Sequence, residues 1–323
     1  LCVFSSVFYN MYANMSFGGE IMATAVICEF NPFHNGHKYL LESAKKVLKE
    51  PIIAIMSGSF TQRGEVAVCD KFVRAKSALE NGADLVLELP VVFSLSGAEG
   101  FAKAGAAIAS AFDCTNHLAF GSESGDCELL KKSANAVCDE RVQALVRDGM
   151  KNGGYYPREL ESAVKTVFGD EVSSVLCKPN NILAVEYIKA LSSTSVEPFS
   201  VARTGVAHDS RIADNDLASA SHIREMLRNG ENAKKYAPYV PDEITFSENL
   251  DRPLLYRLRT MTREEISKLP DVGEGLENRI ADAAMQCSTS AEIADFVKTK
   301  RYTHARIRRI LACALLGIEK AQD

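Results

Sequence analysis

The feature that most constrains this chain is a repeated pairing of short apolar runs with amphipathic stretches. Thr24-Ala25-Val26-Ile27-Cys28-Glu29-Phe30 reads as a short buried strand, and a helical pattern with Leu40, Leu41, Ala44, Val47 and Leu48 on one face follows from about His37. Ile52-Ile53-Ala54-Ile55-Met56 is a second such run, followed by a polar loop over 59–68 and a helical pattern over 71–79. Asp70 is placed to cap that helix and Asn81-Gly82 to stop it. Asp84-Leu85-Val86-Leu87-Glu88-Leu89-Pro90 is a third strand, 98–112 reads as an Ala- and Gly-rich helix, His117-Leu118-Ala119-Phe120-Gly121 is a fourth strand and 197–203 a fifth. Runs that are apolar on both faces need cover on both faces, so the pattern predicts an α/β fold with a parallel sheet between helical layers. Such sheets bind ligands at the carboxyl ends of their strands. The loops at 31–37, 57–70 and 121–125 are therefore expected to gather on one edge.

Strand signals become scarce after Pro238, and 263–316 reads as helical with a break near Gly273-Glu274-Gly275. The chain thus divides into an α/β domain over 22–237 and a smaller helical domain over 238–323. Residues 1–21 look foreign to both. Gly18-Gly19-Glu20 precedes Met22, and its codons can spell a purine-rich ribosome-binding site, so 1–21 is expected to be a translated, non-native leader with the native start at Met22.

Nine cysteines are scattered without a C-x-x-C pair, which argues against a disulfide framework or zinc ribbon and for a reducing cytoplasm. Cys114 and His117 have a metal-like spacing but no second ligand pair nearby, so no metal site is expected there. No apolar run has the length of about 18 residues that marks a membrane span. Neither an oligomeric state nor a protein partner can be inferred. The net charge of −5 leaves nucleic-acid binding to a local basic patch.

The strongest chemical signal is Asn31-Pro32-Phe33-His34-Asn35-Gly36-His37, between the first strand and its helix. Gly36 lets backbone approach a ligand, and His37 lies in the first helical turn, where free N–H groups and the helix dipole attract phosphate. His34 and His37 bracket the glycine and can donate to the same phosphate oxygens. Two surface histidines and a zinc pair are the other readings of these residues. The motif is similar to the H-x-G-H signature of the nucleotidyltransferase superfamily, which transfers adenylyl groups from ATP. Ser219-Ala220-Ser221-His222-Ile223-Arg224 resembles that superfamily's late I-S-S-T-x-I-R motif, with Ala220 lacking one hydroxyl and Ser221 standing for Thr. It also reads as an N-capped surface helix carrying a solvated arginine.

The segments between narrow the resemblance. Met56-Ser57-Gly58-Ser59-Phe60-Thr61-Gln62-Arg63-Gly64-Glu65, Asp70-Lys71, Arg74-Ala75-Lys76, the stretch 80–90, Phe120-Gly121-Ser122-Glu123, Lys178-Pro179-Asn180-Asn181-Ile182-Leu183 and Lys300-Arg301-Tyr302-Thr303 occur in order. Together they resemble the bacterial tRNA(Met) cytidine acetate ligase family from about Met22 to Ile318. Members of that family continue well past this last basic helix, so the C-terminal region is expected to be incomplete.

The resemblance implies a parallel-sheet nucleotidyltransferase domain of Rossmann-like form and a two-step reaction. ATP and acetate give acetyl-adenylate and pyrophosphate, and the acetyl group passes to N4 of the wobble cytidine of elongator tRNA(Met). ATP is then a substrate, with Mg2+ expected alongside. His34 and His37 are implied as catalytic. The implied ATP site covers Ile27, Cys28, Glu29, Phe30, Asn31, Pro32, Phe33, His34, Asn35, Gly36, His37, Lys38, Tyr39 and Leu40, with Gly121, Asn180, Arg203, Ser221 and Arg224. Gly121 also reads as a turn glycine, Asn180 as a helix cap and Arg203 as a solvated strand end. Lys71 and Arg74 read as phosphate or tRNA-backbone contacts, or as a solvated helix face; Arg63-Gly64-Glu65 reads as a loop closing over ATP or a surface turn.

Lys298, Lys300, Arg301, Arg306, Arg308 and Arg309 form an acid-free basic cluster over 298–309 in an acidic chain. It reads as an RNA-phosphate patch, with Tyr302 available to stack on a base, or as an amphipathic helix packed through Ile307, Ile310 and Leu311. A small-molecule adenylyltransferase making a dinucleotide-type product is the alternative function.

Overall fold

The computed structural model describes residues 2–4, 22–203, 216–240, 242–299 and 302–320. These fall into two compact units, one of residues 1–56, 72–89 and 98–242 and one of residues 57–71, 90–97 and 243–323.

In chain order the elements of the first unit and its borders begin with β1 (Cys2–Phe4), β2 (Ala23–Cys28), α1 (Asn35–Leu48), β3 (Ile52–Ser57), α2 (Lys71–Glu80) and β4 (Leu85–Leu89). After α3 (Val91–Ser94) come α4 (Ala98–Ser110), β5 (Thr115–Ser122), α5 (Cys127–Cys138), α6 (Glu140–Lys151), α7 (Tyr156–Phe168) and α8 (Asp170–Ser174). α9 (Pro179–Leu191), β6 (Glu197–Ala202) and α10 (Ala220–Arg228) complete it. The sheet order is β1-β4-β3-β2-β5-β6, with β2 to β6 parallel and β1 antiparallel on β4.

The apolar runs become the central strands because every residue of β2 and β3 is buried. Their alternation sorts side chains to two cores. Ala25, Ile27, Ile53 and Ile55 face Phe101, Ala102 and Ala106 of α4 and Ala184, Val185 and Ile188 of α9. Val26, Cys28, Ile52, Ala54 and Met56 face Leu41 and Ala44 of α1 and Ala75 and Ala78 of α2. The chain runs outward from β2 through β3 to β4, then returns to the other side of β2 as β5 and β6. The order therefore reverses between the parallel neighbours β2 and β5, the kind of switch point at which such sheets bind ligands beyond the carboxyl ends of their strands.

Three features were not expected from the sequence. Residues 2–4, inside the stretch read as a leader, form a strand against β4; the rest of that stretch lies outside the described residues. The loop over 57–71 and the segment 90–97 group with the second unit, not with the α/β unit, because Phe60 and Leu95 pack against Ala312 and Cys313. Within the stretch 238–323, helix also begins earlier than Arg263, with α11 (Asp251–Thr260), whose Leu254, Leu255 and Leu258 are core residues. It continues through α12 (Arg263–Ser267), α13 (Leu276–Gln286), α14 (Ser290–Val297) and α15 (His304–Leu316). No helix among the described residues is long and apolar enough to cross a membrane.

α4 approaches β2 at Gly105, where an added Cβ would lie 2.7 Å from Ile27 Cγ1. Overpacking a filled core costs about 1–3 kcal/mol. Gly105→Val is expected to lower unfolding stability by roughly that amount, read from the urea midpoint at unchanged slope; an unshifted midpoint would contradict this packing.

Candidate ATP site

α1 begins on a histidine. His34, in extended conformation, caps the helix, and its Nδ1 accepts the Gly36 N–H at 3.0 Å. His37, one turn in, accepts the His34 backbone N–H on its own Nδ1 at 3.3 Å. Imidazole thus replaces hydroxyl and carboxylate in a reciprocal capping box. A neutral imidazole that accepts at Nδ1 carries its proton on Nε2, so both rings present Nε2–H as a donor. The rings stack, with centroids 3.7 Å apart and planes 26° apart. Gly36 is required between them, because a Cβ there would lie 2.9 Å from His34 Cε1.

The loop leading to the cap is held from several sides. Phe30 and Phe33 are buried and meet edge to face at 4.9 Å, and Phe30 meets His37 in the same way at 5.0 Å. Arg224 of α10 donates from Nη1 to the Asn31 carbonyl at 2.9 Å and from Nη2 to Ser221 Oγ at 3.3 Å. Ser219 Oγ caps α10 by accepting the His222 N–H at 3.1 Å. Asn35 Nδ2 donates to the carbonyls of Asp216 and Lys235, and its N–H donates to the Tyr236 carbonyl. The two motifs, remote in sequence, therefore meet at the start of α1.

A second cluster lies at the ends of β5 and β6. The Glu123 carboxylate accepts from the backbone N–H of Asn180 and Asn181 and from Asn180 Nδ2 at 2.7 Å. Asn181 Oδ1 accepts in return from the N–H groups of Glu123 and Ser124. Arg203 runs alongside Gly121, with its N–H on the Ser122 carbonyl. Its side chain is exposed at the surface yet ringed by protein, which lowers its guanidinium pKa against the opposing pull of Glu123. It stays cationic, because its ordinary value is so high.

The remaining expected residues have varied surroundings. Ile27 sits under Gly105, and Cys28 Sγ lies 3.7 Å from the Ile55 carbonyl. Burial pushes the Cys28 thiol well above its ordinary pKa, so it is no thiolate nucleophile. Pro32 is buried, Lys38 pairs with Glu42, Tyr39 is exposed and Leu40 packs against the α1-side core. Arg74 is not on a solvated face; it is 1% exposed and donates to the Glu29 carbonyl. Glu123 and Asn181, which organise the second cluster, were not singled out from sequence; Phe120-Gly121-Ser122-Glu123 and Pro179-Asn180-Asn181 carried the signal.

In the helical unit three of the four described members of the basic cluster, Arg306, Arg308 and Arg309, are engaged. Arg308 pairs with Glu65 at 2.6 Å, Arg309 with Asp271 at 3.2 Å, and Arg306 donates to the Asp271 carbonyl while covering the Tyr302 ring. Tyr302 is 8% exposed and donates to the Gly273 carbonyl, so it is a core residue and not an open stacking platform. Lys298 is exposed; Lys300 and Arg301 lie outside the described residues.

The comparisons with known proteins bear on this geometry. A family model described as HIGH Nucleotidyl Transferase matches residues 21–323. The tRNA(Met) cytidine acetate ligase of Clostridium tetani (strain Massachusetts / E88) is 37% identical over 322 residues, covering 92% of this chain and 79% of that protein. The chain belongs to the tRNA(Met) cytidine acetate ligase family. A second member, from Thermoanaerobacter sp. (strain X514), is 38% identical over 314 residues, 91% of this chain and 78% of its own. The crystal structure of Thermotoga maritima TmcAL (apo, form I) superposes with a TM-score of 0.86 at 32% identity, covering 93% of this chain and 76% of that one. TmcAL bound with alpha-thio ATP (form II) superposes at 0.84 with the same identity and coverage. The ligase family thus shares the nucleotidyltransferase fold on which the capping histidines sit.

Hydrogen bonds to a charged group contribute about 1.5–3 kcal/mol each, and a neutral amide weakens them. Glu123→Gln is expected to destabilise the protein by roughly 1–3 kcal/mol. The urea midpoint measures this, and a loss below the error of the titration would remove Glu123 as organiser of the cluster.

Proposed function

We propose that this chain is an ATP-dependent ligase that activates acetate as acetyl-adenylate and transfers the acetyl group to N4 of the wobble cytidine of elongator tRNA(Met). One observation carries the reading: two imidazoles that both present Nε2–H stand at a helix N-terminus whose loop is held by Arg224. That arrangement concentrates donors and positive potential for a triphosphate. Membership of the ligase family supports it, as does the alpha-thio ATP complex of the T. maritima relative.

In the first step an acetate oxygen attacks the α-phosphorus of ATP, the bond from the α-phosphorus to the bridging oxygen breaks, and pyrophosphate leaves. His34 and His37 donate to phosphate oxygens as charge builds on them. In the second step the cytidine N4 attacks the acetyl carbon, AMP leaves with the carboxylate oxygen, and N4 loses a proton. Neither step needs a protein nucleophile, so catalysis is positioning and charge neutralisation. The implied contributors are Ile27 to Leu40 with Gly121, Asn180, Arg203, Ser221 and Arg224.

Among the described residues no group of three His, Cys, Asp or Glu side chains could hold a metal. Mg2+ is accordingly proposed to arrive with the triphosphate, whose oxygens and waters are its usual ligands. The tRNA backbone is proposed to meet the basic cluster, with exposed Lys298 and its chain neighbours Lys300 and Arg301, while Arg306 over the Tyr302 ring and the ion-paired Arg308 and Arg309 contribute field. The eight cysteines from Cys28 to Cys313 form no disulfide, which suits the reducing cytoplasm proposed for this chain.

Pyrophosphate release from ATP with acetate, with and without tRNA, tests the proposal. Release that requires a nucleotide-like co-substrate instead of acetate would favour an adenylyltransferase that makes a dinucleotide. His37→Ala is expected to lower acetate-dependent release by roughly 100-fold or more while tRNA binding persists; wild-type turnover in that variant removes the histidine from the mechanism. Lys298→Glu with Arg301→Glu is expected to weaken tRNA binding and shrink the log–log salt slope by about one per lost phosphate contact. An unchanged slope assigns the patch a structural role.

A further inference from the structure

Arg74 is a buried cation that the proposed chemistry does not use. Its side chain is 1% exposed, and arginine is almost never so buried without strong partners. It stands in the first turn of α2, where the positive end of the helix dipole disfavours a cation. On the same helix Ala75 and Ala78 pack against the sheet face that carries Val26, Cys28 and Ala54. An apolar residue would fit such a position at lower electrostatic cost.

What Arg74 touches explains its placement. Its Nη1 donates to the carbonyl of Glu29 at 2.5 Å, just beyond the last residue of β2. Phe30 follows with φ 48°, a left-handed conformation that a bulky aromatic residue adopts only under constraint. Asn31 comes next, and its carbonyl accepts from Arg224. The carbonyls on either side of the left-handed residue are thus each held by a guanidinium, one from α2 and one from α10. Returning Phe30 to negative φ would swing these carbonyls away from both donors. It would also move the Phe30 ring, which meets Phe33 and His37 edge to face.

We propose that Arg74 is a positioning residue of the ATP site: with Arg224 it clamps the Glu29-Phe30-Asn31 turn in the left-handed form that seats His34 and His37 at the start of α1. The inference rests on the reading of this loop as the ATP site and adds a residue buried behind it. Arginine is needed because a planar fork holds a carbonyl with fixed direction, whereas lysine offers a rotating point charge.

The test uses the full chain. ATP affinity is measured by calorimetry without acetate or tRNA, well below the melting temperature of each variant. Imidazole nitrogen-15 resonances are recorded on the same samples. Arg74→Lys is expected to weaken ATP binding by roughly tenfold or more and to shift the signals of His34 and His37, while that of His117 in β5 stays in place. A residue that only fills the core would lower the melting temperature without moving those two signals. If Arg74→Lys folds too poorly, Arg74→Ala is assayed with added ethylguanidinium. ATP affinity that rises with ethylguanidinium in the variant but not in wild type supports the clamp. Wild-type affinity in either folded variant, or no response to ethylguanidinium, overturns it. A wild-type chain that does not bind ATP instead overturns the functional reading itself.

Discussion

The interaction on which the rest of this site depends is a helix cap made by imidazole. A hydroxyl or carboxylate at the start of α1 would satisfy the same backbone donors. His34 does so through Nδ1, and its imidazole carries a second ring nitrogen, which a hydroxyl or carboxylate cap lacks. His37 closes the box from inside the helix in the same way. The cap thus fixes tautomer, ring direction and helix start at once. Everything else near the loop supports that cap: the edge-to-face aromatic pair, Arg74 and Arg224 on the carbonyls that flank Phe30, and Asn35 tied to the 216–236 segment.

The sheet sets where this cap sits. Strands buried on both faces have no side chains available for solvent or ligand along their length. Chemistry is pushed to their ends, and the reversal of order between β2 and β5 separates the helices that follow those strands. The second cluster, built on Glu123, Asn181 and Arg203, stands at the end of β5 and β6 for the same reason. In the helical unit, charge is handled differently. An acid-free run in sequence becomes a partly neutralised surface, because Glu65 and Asp271 come from elsewhere in the chain to meet Arg308 and Arg309.

Much of the fold was legible because its strongest signals are local. Ile52 to Met56 is apolar at every position, and only a strand covered on both faces suits such a run between turn residues. The H-x-G-H loop was legible because Gly36 and its flanking histidines are contiguous. Arg74 was not: it sits among Lys71, Lys76 and Glu80 on a helix that looks solvated, and its burial follows from the carbonyl it meets 45 residues away. Tyr302 was misread for the same reason. Its basic neighbours suggested an open stacking surface, but the ring is buried and its hydroxyl bonds to Gly273.

The sequence alone determined the alternating layers, the strand-to-helix loop and the residue types able to receive a phosphate, since periodicity and contiguous spacing encode these. Only the tertiary structure decided which motif meets which. Arg224 reaches Asn31 across 193 positions of chain, Asn181 reaches Glu123 across 58, and Arg308 reaches Glu65 across 243. Such pairings depend on how layers pack, and packing responds to shape and burial over the whole core, which no local spacing records.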